Sequence, residues 1–99
     1  MIDIARDRDK IDALCRRLGV RRLDVFGSAS TGKPSPESDV DVLVQFDRSQ
    51  GNLFARYFDL KEGLEAILGR PVDLVVDDAI RNPYFRQSVE RTRQNVFAA

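Results

Sequence analysis

Three aspartates in this 99-residue chain have types and spacings that suit metal chemistry. Asp39 and Asp41 begin an apolar run, and Asp73 lies inside a second apolar run at residues 71–76. Side chains alternate across a strand, so Asp39 and Asp41 should point the same way, with Cα atoms about 7 Å apart. A neighbouring strand can place Asp73 about 5 Å to the side. Such carboxylates can converge on one metal ion, or bracket two that lie roughly 3.5–4 Å apart.

Magnesium is the cation that fits this donor set best. Burying carboxylates beside valines is costly without a positive partner, and neighbouring carboxylates repel one another. Mg²⁺ takes oxygen ligands and keeps several waters, so two or three aspartates plus substrate phosphates suffice. We therefore predict Asp39, Asp41 and Asp73 as catalytic, metal-binding residues that hold one Mg²⁺ ion or bracket two. Each aspartate also has a purely structural alternative. Asp39 could be a strand-start residue bonded to the loop, Asp41 could lie on a solvated edge, and Asp73 could pair with an arginine such as Arg70.

A glycine-serine turn precedes the acidic pair and can bind phosphate. Glycine lets backbone amides approach a ligand closely, and a helix N-terminus offers unpaired N–H groups to an anion. Gly27 and Ser28 supply this turn, the Ser28 hydroxyl can bond a phosphate oxygen, and Gly32 can relax the loop. Lys33 could neutralise a phosphate, although a solvated loop lysine is the simpler interpretation. These residues predict a nucleotide-binding turn.

The composition excludes several other chemistries. The chain has no histidine, which removes histidine acid–base catalysis, serine–histidine triads and histidine-ligated zinc. Cys15 is the only cysteine, so there is neither an intrachain disulfide nor a cysteine metal cluster. Its spacing within an apolar helical stripe predicts a small core residue.

Charge and hydropathy argue against membrane and nucleic-acid partners. The longest apolar runs fall well short of the ~18 residues that span a bilayer. The first ten residues are too charged for a signal peptide, so we expect a cytoplasmic protein without membrane contact. Arg16, Arg17, Arg21 and Arg22 form a basic cluster, but the net charge is zero and aspartates are interspersed. A solvated surface is the expected interpretation, and we do not expect direct nucleic-acid binding.

The apolar pattern predicts one domain, residues 1–99, in which helices and strands alternate. Helices are predicted over residues 4–18, 53–68 and 83–93, and strands over 20–26, 39–46 and 71–76. Asp77 or Asp78 is predicted to cap a short helix, and the tail either adds an edge strand or frays. This order predicts an α/β or α+β fold, a small sheet with helices packed on it.

Aromatic residues are numerous for so small a domain, and Phe54 shares an apolar helical stripe with several of them. We expect these rings to pack in the core, while exposure would favour docking to a partner protein. The other residues concerned are Tyr57, Phe58, Tyr84, Phe85 and Phe97.

The motif G-S-x3-G-x5-S-D-x-D, followed by a V-D-L-V strand, resembles the nucleotidyltransferase superfamily that includes DNA polymerase beta. More narrowly, the chain is similar to the minimal nucleotidyltransferases, the antitoxin partners of HEPN-domain toxins. The likeness spans nearly the whole chain, and it adds Ser38 to the predicted nucleotide-binding residues. The residues in register are Gly27, Ser28, Gly32, Ser38, Asp39, Asp41 and residues 72–75.

This resemblance implies a polymerase-beta-like palm, a mixed sheet with helices on one side. It implies transfer of AMP from ATP to a hydroxyl, which in the antitoxin subgroup is a tyrosine of the HEPN toxin. AMP modification silences that toxin. Larger relatives hold the base and the acceptor with extra domains, so a partner toxin or an oligomer, either mixed or a homodimer, is expected to supply those surfaces.

One departure from the family motif leaves a second function open. Ala29, Ser30 and Thr31 stand where the family often has Arg-Ala-Arg, so a basic residue near the triphosphate is absent. The alternative is a catalytically weak binding module that neutralises the toxin by direct complex formation. A phosphotransfer enzyme that uses D-x-D as nucleophile and acid is a further alternative, but there the pair normally ends the first strand.

Overall fold

The computed structural model describes residues 4–27, 39–49 and 51–99. Within them, the helices are α1 (Ile4–Arg17), α2 (Leu53–Leu68) and α3 (Pro83–Thr92). The strands are β1 (Val20–Phe26), β2 (Val40–Phe46), β3 (Val72–Val76) and β4 (Gln94–Ala98), with a short 3-10 helix at Asp77–Ala79. The predicted α/β class is confirmed, and the tail forms a strand. None of the helices in these ranges is long and apolar enough to cross a bilayer.

The strands of the described residues form one mixed sheet in the order β3-β2-β1-β4. β1 is antiparallel to both β2 and β4, whereas β2 and β3 are parallel. A parallel pair needs a long crossover, and α2 provides it. The register places Asp73 directly beside Asp41 on one side and Phe26 beside Asp41 on the other.

The larger core lies between one face of the sheet and helices α1 and α2. Alternate residues of β2, namely Val40, Val42 and Val44, are buried in it together with Leu60 and Leu64 of α2. Each fully buried valine or leucine side chain stabilises the fold by about 1.5–3 kcal/mol. This face therefore supplies most of the free energy that holds the strands in register.

Cys15 lies in this larger core, as its spacing predicts. Burial, and to a lesser extent the negative charge of Asp12, raises the pKa of its thiol to about 12. The thiol is therefore protonated at neutral pH and does not act as a nucleophile.

Helix α3 covers part of the opposite face of the sheet. Phe26, Leu43 and Val89 form a second buried cluster there. Leu43 alternates with Val42 and Val44 along β2, so it points away from the larger core and shares its face with Asp41. The expectation of helices on one side therefore holds for α1 and α2, while α3 packs beside the predicted catalytic residues.

A buried carboxylate in β1 fixes the position of α3 and β4. Asp24 has no exposed surface, and it accepts hydrogen bonds from Arg93 at 2.7 Å, Arg22 at 3.2 Å and Asn95 at 2.9 Å. Arg93 follows the last residue of α3 directly, and Asn95 lies in β4. A buried charge is tolerated when it is fully hydrogen-bonded, and here the bonds join three elements.

Asp77 ties another part of α3 to the sheet. The prediction that Asp77 or Asp78 caps the short helix is wrong, since no side chain in the described part of the chain caps it. Instead, the Asp77 carboxylate accepts from Gln45 of β2 at 2.8 Å and pairs with Arg86 of α3. Burial alone would raise the pKa of Asp77, but the hydrogen bonds from Arg86 and Gln45, together with the positive charges of Arg86 and Arg93, outweigh burial and lower it.

Several aromatic rings that we expected in the core are exposed. Phe97 is buried, and Tyr57 is half-buried with its hydroxyl donating to the Leu74 carbonyl at 2.7 Å. The expectation is wrong for the exposed rings, which are Phe54, Phe58, Tyr84 and Phe85. The buried residues of α2 are Arg56, Leu60 and Leu64. Phe54 and Phe58 lie outside that stripe, with their rings in contact and tilted by 55°.

The Asp24 network gives a stability prediction. Asp24→Ala leaves the largely buried Arg93 guanidinium without its main partner, so we expect the free energy of unfolding to fall by roughly 3 kcal/mol. Urea denaturation at pH 7 measures the loss. Asp78→Ala is the matched control, because Asp78 pairs with Arg48 where both side chains are 56% exposed, and it should cost less than about 1 kcal/mol. Equal losses in the two variants would contradict this account of α3.

Candidate active site

Asp41 and Asp73 occupy neighbouring positions near the beginnings of two parallel strands. They are register partners in β2 and β3, which places their Cα atoms about 5 Å apart with both side chains on one face of the sheet. Asp39 lies two residues before Asp41, just ahead of β2, and its charge acts on the Asp41 carboxylate. Asp39 and Asp73 are exposed, and Asp41 is half-buried. The structure therefore brings the three predicted carboxylates to one corner of the sheet, which we call the acidic corner.

Electrostatics at the acidic corner are unfavourable for three ionised groups. Burial raises the pKa of Asp41, and the negative charges of Asp73 and then Asp39 raise it further. All of these influences act in the same direction, so a cation at this corner would relieve both the burial and the repulsion.

The donor set at the acidic corner fits magnesium. It offers carboxylate oxygens, which Mg²⁺ prefers. Among the described residues, no three acidic or cysteine side chains enclose a common metal position on their own. The remaining ligands of an ion at this corner would therefore come from substrate phosphates and water, as is usual for Mg²⁺.

Gly27 closes the acidic corner on the β1 side. Its φ of +66° lies in the left-handed region that disfavours side chains, and a methyl group added there would lie 2.7 Å from Oδ2 of Asp41. Only glycine satisfies both constraints without displacing the carboxylate. The Gly27 N–H donates to Oγ1 of Thr92 at 3.0 Å, which connects the turn to the end of α3.

Four of the predicted nucleotide-binding residues lie outside the described residues. These are Ser28, Gly32, Lys33 and Ser38. Their contacts with phosphate therefore stay predictions, as do the roles predicted for the three aspartates and Gly27.

Two residues beside the acidic corner were missed by sequence reasoning. Phe26 lies next to Asp41 and meets the ring of Phe85 edge to face, with centroids 5.9 Å apart. Thr92 binds Gly27 from 65 positions away along the chain. The helical period of α3 was the one available signal, because it places Phe85, Val89 and Thr92 on one side of the helix.

Comparison with known protein families identifies the family to which this chain belongs. Residues 8–96 match the nucleotidyltransferase domain family, and the chain therefore belongs to that family of enzymes. The membership predicted from the GS and D-x-D motifs is confirmed.

Two relatives in sequence narrow the class. A Methanocaldococcus jannaschii protein named as a candidate protein adenylyltransferase, MJ1379, is 40% identical over 88 residues, which cover 89% of this chain and 86% of the relative. The protein adenylyltransferase MntA of Thermococcus cleftensis is 42% identical over 69 residues, covering 70% of this chain and 68% of MntA. The chain is thus a homologue of protein adenylyltransferases.

Two solved structures share the fold. A candidate minimal nucleotidyltransferase superposes with a TM-score of 0.77 at 34% identity, covering 91% of this chain and 89% of that one. A toxin–antitoxin complex crystallised with AMP-PNP contains a chain that superposes with a TM-score of 0.72 at 24% identity, covering 94% and 74%. The polymerase-beta-like fold predicted from sequence agrees with these neighbours.

Gly27→Ala separates backbone strain from damage to the acidic corner. Gly69→Ala is its matched control, because Gly69 has a φ of +68° but nothing within 4 Å of an added methyl group. We expect each variant to lose about 1–2 kcal/mol of unfolding free energy from the left-handed conformation. Nucleotidyl transfer should fall only in Gly27→Ala, because only there is Asp41 displaced. Equal rates in the two variants, measured well below their melting temperatures, would contradict the role given to Gly27.

Asp41→Asn should stabilise the metal-free protein at neutral pH. The pKa of folded Asp41 lies above its unfolded value of 3.8, so the ionised carboxylate destabilises the fold above that range. The penalty disappears as pH falls through the raised pKa towards the unfolded value. Urea titrations in EDTA should therefore show Asp41→Asn more stable than wild type at pH 7, with the difference shrinking as the pH falls and gone below about pH 4. A variant that is less stable at pH 7 would show that Asp41 has a favourable partner.

Proposed function

We propose that this chain transfers AMP from ATP to a tyrosine hydroxyl of a HEPN-type toxin and so acts as its antitoxin. The observation that carries the proposal is the position of Asp41, in register with Asp73 and in contact with Gly27. Family membership supports nucleotidyl transfer, and the likeness to MntA supports a protein acceptor. The toxin–antitoxin complex with AMP-PNP, which has the same fold, is consistent with ATP as donor and a toxin as partner. The need for ATP favours the cytoplasm as the place of reaction.

We infer that Mg²⁺ is the cofactor, with two ions held by Asp39, Asp41 and Asp73. When bound, the ions stabilise negative charge on the attacking and leaving oxygens of an in-line displacement. Asp41 presents its carboxylate from β2 and Asp73 from β3, while Asp39 precedes β2 and its charge acts on Asp41. The clustering that raises the pKa of Asp41 in the free protein is consistent with a corner built for cations.

The strand order suggests the direction of the reaction. β2 lies between β1 and β3, so Gly27 at the end of β1 and Asp73 in β3 are on opposite sides of Asp41. We propose that the departing pyrophosphate lies against the Gly27 turn and that the acceptor hydroxyl approaches beside Asp73. A bond then forms between the acceptor oxygen and the α-phosphorus while the bond to the pyrophosphate oxygen breaks. Asp73 accepts the proton released by the hydroxyl.

The double variant Asp39→Asn with Asp41→Asn tests the proposal. Removing both carboxylates should remove several kcal/mol of transition-state stabilisation, which corresponds to a loss of roughly 10³-fold in rate. The measurement is transfer of label from α-labelled ATP to a HEPN-type toxin in the presence of Mg²⁺. The control is Asp9→Asn with Asp59→Asn, two exposed aspartates on α1 and α2, which changes the net charge equally. The proposal fails if the Asp39/Asp41 variant labels the toxin as fast as wild type.

Exposed aromatic rings favour the binding module as a second candidate. Phe54 and Phe58 are 76% and 44% exposed, with ring centroids 4.8 Å apart, and Tyr84 on α3 is 79% exposed. Exposed rings of this kind are common in protein interfaces, where they act as anchors. A chain that neutralises a toxin through such contacts needs no nucleotide.

Calorimetric titration with ATP distinguishes the two candidates. The enzyme should release heat on binding ATP only when Mg²⁺ is present, and Asp41→Asn should abolish that dependence. A pure binding module should show no metal-coupled nucleotide binding while still forming a complex with the toxin.

A further inference from the structure

We propose that Thr92 is a positioning residue of the nucleotidyl-transfer site. Its hydroxyl binds the Gly27 N–H and thereby fixes the position of Gly27 relative to the Asp41 carboxylate. The catalytic consequence rests on the proposed function, whereas the contact itself does not. Thr92 is the last residue of α3, and it belongs to none of the predicted motifs.

The hydrogen bonds of Thr92 fix which way its hydroxyl points. Oγ1 lies 3.0 Å from the carbonyl oxygen of Ser88 and 3.0 Å from the nitrogen of Gly27. A carbonyl can only accept, so the single hydroxyl proton goes to Ser88. A lone pair of Oγ1 is then directed at the Gly27 N–H. The hydroxyl is therefore held in the one orientation that binds the turn.

The end of α3 that carries Thr92 is itself held in place. Val89, one helical turn earlier, is completely buried against Phe26 and Leu43. Arg93, the next residue, makes a contact of 2.6 Å with the fully buried Asp24. Thr92 therefore cannot shift without disturbing a buried ion pair and a packed core, which makes it a rigid anchor for Gly27.

Gly27 is the place where such an anchor has the largest effect. Glycine adopts positive and negative φ with similar ease, so its φ of +66° is not fixed by its own residue type. A methyl group added to Gly27 would lie 2.7 Å from Oδ2 of Asp41, and the predicted phosphate-binding loop follows Gly27 in the sequence. A constraint on the Gly27 N–H therefore sets the position of the turn relative to the carboxylate.

Replacing the hydroxyl with a methyl group of the same shape tests the proposal. Thr92→Val removes the acceptor, Thr92→Ser restores it, and Ser88→Ala is the control, since Ser88 contributes its backbone carbonyl to this contact.

The first measurement is hydrogen exchange of the Gly27 amide by NMR, and the second is kcat and KM for AMP transfer from Mg²⁺–ATP to a HEPN-type toxin. We expect Thr92→Val to lose amide protection and about 10–100-fold in kcat, with a smaller change in KM. Thr92→Ser should recover most of both, and Ser88→Ala should match wild type.

The outcomes separate a positioning role from a merely structural one. A Thr92→Val protein that melts at a lower temperature yet keeps kcat within twofold of wild type would overturn the proposal. Equal losses in Thr92→Ser and Thr92→Val would also overturn it. If wild type transfers no AMP, the proposed function fails. The positioning role of Thr92 is then tested by protection of the Gly27 amide and by Mg²⁺-dependent binding of AMP-PNP. Thr92→Val must weaken both, and a variant that keeps both would overturn the proposal.

Discussion

Two like charges lie side by side in this molecule because β2 and β3 pair in parallel, with Asp41 opposite Asp73. On the other face of the same strands, the register sets Val40 beside Val72 and Val42 beside Leu74, and all four side chains are buried. A shift of one residue in β3 would turn these apolar side chains to the acidic face and Asp73 into the core. Hydrophobic burial on one face therefore enforces an electrostatically unfavourable arrangement on the other. A cation bound at this corner, as the proposed function has it, would relieve that repulsion.

The remainder of the fold limits how that acidic corner can relax. α2 spans the crossover that makes the parallel pair possible. It packs Leu60 and Leu64 beneath the sheet, and its Tyr57 hydroxyl donates to the Leu74 carbonyl of β3. α3 lies on the same face as the carboxylates, and the ion pairs of Asp24 and Asp77 hold it there. Because Asp77 is also bonded to Gln45 of β2, helix α3 and the strand that carries Asp41 keep a fixed relation. Gly27 lies between this strand and this helix. The Asp41 carboxylate of β2 is on one side, and the Thr92 hydroxyl of α3 accepts from the Gly27 N–H on the other.

Sequence reasoning located the elements well because their signals are local. The apolar periods of α1 and α2 and the glycines that follow them, Gly19 and Gly69 with φ of +69° and +68°, define those helices with errors of one residue at most. The D-x-D spacing and the V-D-L-V run likewise predicted the strands that carry Asp41 and Asp73, while Asp39 lies one residue before β2. The side on which α3 packs could not be predicted, since its pattern is compatible with either face of the sheet.

Contacts between distant residues were the part that sequence could not supply. Asp24 lies within an apolar strand pattern, and nothing local indicates that Arg93 and Asn95 will satisfy its charge. Thr92 looks like any residue at the end of a helix. Phe54, Phe58 and Tyr84 carry the hydrophobicity of core residues, yet the thin core of so short a chain has no room for them. These exposed rings are the feature of the surface that the proposed chemistry does not use.

The central claim is that Asp39, Asp41 and Asp73 hold divalent ions against the phosphates of a nucleotide that rests on the Gly27 turn. A crystal of the chain grown with AMP-PNP and Mn²⁺, with data collected at the manganese edge, tests this most directly. The account predicts anomalous peaks about 2 Å from carboxylate oxygens of Asp41 and its two neighbours, with the α-phosphate bridging to them. Manganese or nucleotide bound elsewhere, with the three carboxylates free of metal, would contradict it.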